Sequence, residues 1–177
     1  MHEETLIDFL RGTGPDRRGR YHADILRFSD EELEETDDYI QWLFPLREPS
    51  QVVPDSPLLE SEDIIRVIRE DEDIRENLVM ALTRMKRFYR DNDHWLHQGD
   101  HNHLRITRIL KSISLLGSQE NAMDFYDFIM ERVQDAQPAT AESLEFWKKS
   151  VSWYLYDCHG LILRYEGNSD FGQWNLV

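Results

Sequence analysis

Four histidines fall within ten residues, His94, His97, His101 and His103, interleaved with Asp91, Asp93 and Asp100. Imidazole nitrogens and carboxylate oxygens are ligands of divalent metals, so this is the stretch where an ion would bind. His94 and His97, or His97 and His101, share a face if the segment is helical, which makes His94, His97 and His101 the candidate ligands. Gly99 and Asp100 favour a loop instead, and there is no His-Glu-x-x-His arrangement. The plainer reading is a set of exposed loop histidines with a His101-Asn102 pair capping the next helix. The pattern requires no cofactor, and a divalent metal is the one it admits.

A second set is cationic. Arg105 and Arg108 lie in a segment, about 103–117, whose apolar residues occupy two sides of a helical wheel: Ile106, Ile109, Leu110, Ile113 and Leu116 on one, Leu104 and Leu115 on the other. A helix apolar on two sides is packed on two sides, so this one is expected at the centre of the molecule, with both arginines partly buried. Buried guanidinium groups must meet carboxylates or carbonyls. They then form either internal salt bridges or a pocket for an anion, such as a peptide carboxylate or a phosphate. Upstream, Gln41 and Trp42 interrupt an otherwise apolar helical run. A buried glutamine amide demands partners and can orient a ligand, unless the adjacent proline loop satisfies it and Trp42 merely fills the core. If both motifs meet around the central helix, a ligand pocket has walls from Tyr39, Gln41, Trp42, Arg47, His101, Arg105 and Arg108.

Signs of nucleophilic chemistry are missing. The sequence has no Gly-x-Ser-x-Gly elbow, and Cys158 adjoins His159, positions that point apart on a helix. Gly12-Thr13-Gly14-Pro15 lacks the lysine of a phosphate-binding loop.

The elements that must position these groups are helical almost throughout. Ser29 opens a capping box with Glu32, and seven acids between Ser29 and Asp38 suit the start of a helix. That helix, carrying Leu33, Ile40, Leu43 and Phe44, is expected to stop before Pro45. Prolines 45, 49, 54 and 57 mark a loop. Ser61 and Asp71 are caps for two further helices, the second with Ile74, Leu78, Ala81, Leu82, Met85 and Phe88 on its apolar stripe. Later helices span about 103–117, where Gly117 can take a left-handed C-terminal position, then 119–134, and from after Thr140 to near Gly160. The first 28 residues read as two short helical pieces around a Gly-Pro-Asp-Arg turn. The fold class is therefore all-α, a single-domain bundle of about six to eight helices over residues 1–160, with 161–177 an irregular tail.

Charge narrows the partners. The chain has 35 acidic against 20 basic side chains, a net charge of −15, and no basic stripe, which argues against nucleic acid and anionic lipid. Leu, Ile, Val and Phe make up 47 of the 177 residues, enough for a core despite that charge. A single cysteine, no secretory leader and no apolar run of about 20 residues point to a soluble intracellular, cytoplasmic protein.

Two long motifs carry a resemblance. Tyr39-Ile40-Gln41-Trp42-Leu43-Phe44-Pro45-Leu46 with Glu48-Pro49-Ser50, and His101-Asn102-His103-Leu104-Arg105-Ile106-Thr107-Arg108-Ile109-Leu110-Lys111-Ser112, resemble the signatures of the opioid growth factor receptor conserved domain. Phe9-Leu10-Arg11-Gly12, the Pro15 to Arg20 turn, Phe88-Tyr89 and Phe146-Trp147 resemble it too, in the family's order over about residues 7–150. Asp37 stands where the family usually has a histidine, and Arg90 where it commonly has glycine. The chain is similar to the short, free-standing members. The resemblance implies peptide recognition: the receptor is described as binding the pentapeptide Met-enkephalin and acting from a nucleus-associated location. The resulting expectation is a non-enzymatic peptide- or protein-binding module. The alternative is a metal- or anion-dependent enzyme using loop 91–103 with Arg105 and Arg108.

Overall fold

Short-range signals start several of the helices. The computed structural model describes residues 3–50, 52–136 and 141–152, with the backbone of 163–165 and 174–176. The chain runs through α1 (Glu3–Arg11), α2 (His22–Leu26), α3 (Asp30–Glu35), α4 (Ile40–Leu43), α5 (Glu62–Glu70) and α6 (Glu72–Asp91). A single 3-10 turn (His94–Leu96) then leads to α7 (Asn102–Leu116), α8 (Gln119–Ala136) and α9 (Ala141–Ser152). The fold is all-α. Ser29 Oγ accepts from the Glu32 amide while Glu32 accepts from the Ser29 amide, completing the capping box. Ser61 and Asp71 accept from the amides three residues on and start α5 and α6. Pro45 ends α4 as expected, with Phe44 as its C-terminal cap.

The acid-rich segment departs from expectation. One helix was expected from Ser29 to Phe44, and the chain instead breaks at Thr36, which is extended, before restarting at Ile40. This split raises the count to nine α-helices among the described residues. Its cause is distant in sequence: the carbonyls of Leu33, Glu34 and Thr36 turn toward the Arg105 guanidinium instead of continuing a helical ladder. Asp38 is held on the other side by Arg18 and Arg20. Gly117 is a second departure. Its φ is −94°, so it is not left-handed. A Cβ there would sit 3.0 Å from the Ile113 carbonyl oxygen, so glycine is needed for close approach. Left-handed φ occurs at Gly12, after α1, where the chain turns away from the helix.

Helix α7 is central, packed against α5, α8 and α9. Ile106, Ile109, Leu110, Ile113, Leu115 and Leu116 are buried in a continuous core that runs from Leu6 to Val151. The two-sided expectation fails at one end: Leu115 is buried, but Leu104 is 69% exposed. The wheel gives a residue's direction, and at Leu104 no helix among the described residues covers that direction. Trp147 fastens α9 to α7, its indole N–H donating to the His103 carbonyl at 3.2 Å and its ring meeting His103 edge-on. In the C-terminal stretch expected to be irregular, β1 (Leu163–Tyr165) pairs antiparallel with β2 (Trp174–Leu176). Strands of three residues are too short to show a period-two pattern. Cys158, His159 and the boundary near residue 160 lie outside the described residues.

Candidate functional site

Arg105 and Arg108 sit one turn apart on α7 and face different surroundings. Arg105 is 5% exposed. Its Nη1 donates to the Leu33 carbonyl at 3.0 Å and Asn102 Oδ1 at 3.3 Å, and its Nη2 to the carbonyls of Glu34 at 3.2 Å and Thr36 at 3.1 Å. Glu34 and Asp37 carboxylates approach within 3.7 and 3.5 Å. The guanidinium also lies over the Tyr39 ring, 5.6 Å from its centroid. Burial pushes the Tyr39 hydroxyl up to about 12, with Arg105 pulling the other way. The partners expected for a buried guanidinium are thus mostly carbonyls, and its donors cap the end of α3.

Arg108 is less well satisfied. Its Nε donates to the Phe44 carbonyl at 2.9 Å, while Nη2 is buried without a hydrogen-bond partner among the described residues. Burial pulls this guanidinium down to about 10, with nearby Glu48 opposing the shift. The bond to Phe44 O and that of Ser112 Oγ to Pro45 O at 2.9 Å pin the end of α4 to α7.

Between the 37–52 segment and α7 lies a groove of about 510 Å³. Gln41, His101, Arg105 and Arg108 all line it, so four of the seven expected pocket residues meet there. Gln41 is 5% exposed; its Nε2 donates to Ser50 Oγ at 3.3 Å and its Oε1 is unpartnered among the described residues. The proline loop therefore satisfies half of that amide. Tyr39 and Trp42 are buried behind the wall, Trp42 edge-on to Phe9. Arg47 turns away to Glu62. Sequence reasoning missed the rim: Leu104, Val52 (64% exposed) and Phe146 (52% exposed), with Lys111 bonded to Glu48 at 3.2 Å. The signal was available on α7, since Leu104, Arg108 and Lys111 follow i, i+4, i+7 spacing along one face.

The histidine stretch resolves differently from a three-histidine site. His94 Nε2 is 3.0 Å from Glu34 Oε2, off the line of a hydrogen bond, and His101 Nε2 is 3.3 Å from Glu34 Oε1. Asn102 Nδ2 donates to that same carboxylate at 3.0 Å. His97 is exposed and belongs to no such group among the described residues; the ligand atoms that cluster are those of Glu34, Asp100 and His101. His103 faces inward to the Trp95 carbonyl at 2.9 Å. His101 occupies the helix cap without a side-chain capping bond, and Asp100 Oδ1 takes that role, accepting from the Asn102 amide at 2.8 Å. Glu34, which no motif marks, is the centre of this cluster.

Comparison with known proteins bears on what this arrangement is. The model of the opioid growth factor receptor conserved region matches residues 23–92 and 89–157. The chain belongs to that family. The rat (Rattus norvegicus) opioid growth factor receptor is 35% identical over 131 residues, covering 63% of this chain and 22% of the rat protein. The human receptor is 37% identical over 117 residues, covering 56% and 17%, and mouse (Mus musculus) opioid growth factor receptor-like protein 1 is 29% identical over 141 residues, covering 68% and 30%. The chain thus spans less than a third of the length of these relatives. No solved structure matches it. Within the opioid growth factor receptor family the two signature motifs acquire a spatial meaning here: they form the two walls of one groove. Asp37, at the family's usual histidine position, lines that groove beside Arg105. Arg90, at the usual glycine position, lies on the surface, paired with Asp91.

Proposed function

We propose that this chain is a non-enzymatic peptide- or protein-binding module whose ligand lies in the groove between the 37–52 segment and α7. One observation carries the reading. Three of the most exposed large apolar side chains, Leu104, Val52 and Phe146, ring the same groove, and its wall holds an arginine without a carboxylate partner among the described residues. Exposed apolar groups gathered around buried polar ones are what a peptide site requires, because the side chains supply area and the polar atoms fix orientation. The relatives' names, opioid growth factor receptor, support a ligand-binding role.

Selection of binders from a random peptide display library tests this reading. Saturable binding that Leu104→Asp abolishes supports it; binders indifferent to Leu104→Asp and Phe146→Asp, or none at all, refute it. Titration with Met-enkephalin asks separately whether the family's described ligand is the one recognised.

A further inference from the structure

We propose that the groove reads the free carboxyl terminus of its peptide. The terminal carboxylate meets Arg108 Nη2, the last amide N–H meets Gln41 Oε1, and the last side chain lies on Leu104 and Phe146. This rests on the groove being the ligand site and names what it selects. Its wall holds one donor and one acceptor that the described residues leave unanswered, Arg108 Nη2 and Gln41 Oε1. Each such atom is costly when buried, so a ligand that answers both gains more than either bond gives in water.

The other cations of the groove are occupied. Arg105 is bonded to carbonyls and to Asp37, and Lys111 to Glu48, which leaves Arg108 as the lining arginine or lysine with no carboxylate bond among the described residues. One open cation suits one negative charge. A phosphomonoester dianion brings more charge than this and, having acceptors only, leaves Gln41 Oε1 unanswered. An internal peptide segment offers an amide but no charge for Arg108. A terminal residue presents an anionic group, an N–H and a side chain around a single Cα. Both wall atoms are buried, so the lining side chains must shift rotamer for contact, a change of the size interfaces commonly show on binding.

The test uses the full 15N-labelled chain and N-acetylated tetrapeptides ending in Leu, Met or Phe, each as free acid and as carboxamide. Affinity is measured while the Gln41 side-chain amide and Arg108 Nε–H resonances are followed. The free acids should bind about tenfold or more tighter than the amides, as for loss of one charge-assisted hydrogen bond. Both resonances should move, the preference should vanish in a folded Arg108→Gln variant, and Arg108→Lys should restore part of it. Equal affinity of acid and amide overturns the C-terminal assignment and leaves the groove reading standing. An acid preference that survives Arg108→Gln places the carboxylate elsewhere and also overturns it. If neither form binds at millimolar concentration, the groove reading itself falls.

Discussion

Replacing Arg105 by alanine removes the group around which the 30–44 segment is folded. Its guanidinium answers three main-chain carbonyls, those of Leu33, Glu34 and Thr36, and so caps the end of α3. Hydrogen bonds to a charged group contribute about 1.5–3 kcal/mol each, and truncating one partner strands the others. Some of these carbonyls regain water after truncation, so the sum is not the full product, and we expect a loss of about 3–5 kcal/mol. Against the roughly 5–15 kcal/mol that holds a typical domain together, this is severe and lowers the melting temperature by on the order of 10 °C. Lysine should recover less than half, because a point charge cannot fork among three acceptors. Arg108→Gln provides the contrast: it forfeits a single carbonyl bond and relieves the burial of a charge, so it should change stability by no more than about 1 kcal/mol. Urea denaturation of the three variants decides the matter. An Arg105→Ala protein within 1 kcal/mol of wild type, or an Arg108→Gln protein more damaged than it, refutes the division of labour between the two arginines.

Other expectations follow from burial. His22 is buried with Nε2 unpartnered among the described residues, and burial lowers its pKa from 6.5 to about 4. The unfolded chain therefore takes up this proton first. The contribution is intact above pH 6.5 and is lost as pH falls toward 4, by about 3 kcal/mol, and His22→Gln should flatten that part of the stability profile measured by urea titration. Trp147→Ala leaves an indole-sized gap between α7 and α9 and should cost about 3–5 kcal/mol by the same measurement. Leu104→Asp, at an exposed site, should alter stability by less than about 0.5 kcal/mol while abolishing capture of selected peptides; a matching fall in stability would make its loss of binding uninformative.

Sequence reasoning succeeded where the determining groups are neighbours in the chain. Ser29, Ser61 and Asp71 cap helices through amides three residues away, and Pro45 acts on Phe44, so these boundaries could be read directly. The break at Thr36 could not, because the arginine that stabilises it lies about seventy positions downstream. The apolar face of α7 was legible, but the fate of Leu104 depends on what lies opposite, which periodicity does not encode. At the site, Gln41, His101, Arg105 and Arg108 were found through the two motifs, and Tyr39 and Trp42 proved to be the packing behind them. Arg47, between the two parts of the first motif, is paired with Glu62 and does not line the groove. Glu34 was lost in an acidic run whose members look alike until the fold selects one.

Side-chain NMR of the arginines tests the account most directly, because it observes both guanidinium groups in one sample. Arg105 should be protected from hydrogen exchange and unmoved by a bound peptide, while Arg108 should shift on binding. A peptide that perturbs Arg105 and leaves Arg108 unchanged would contradict it.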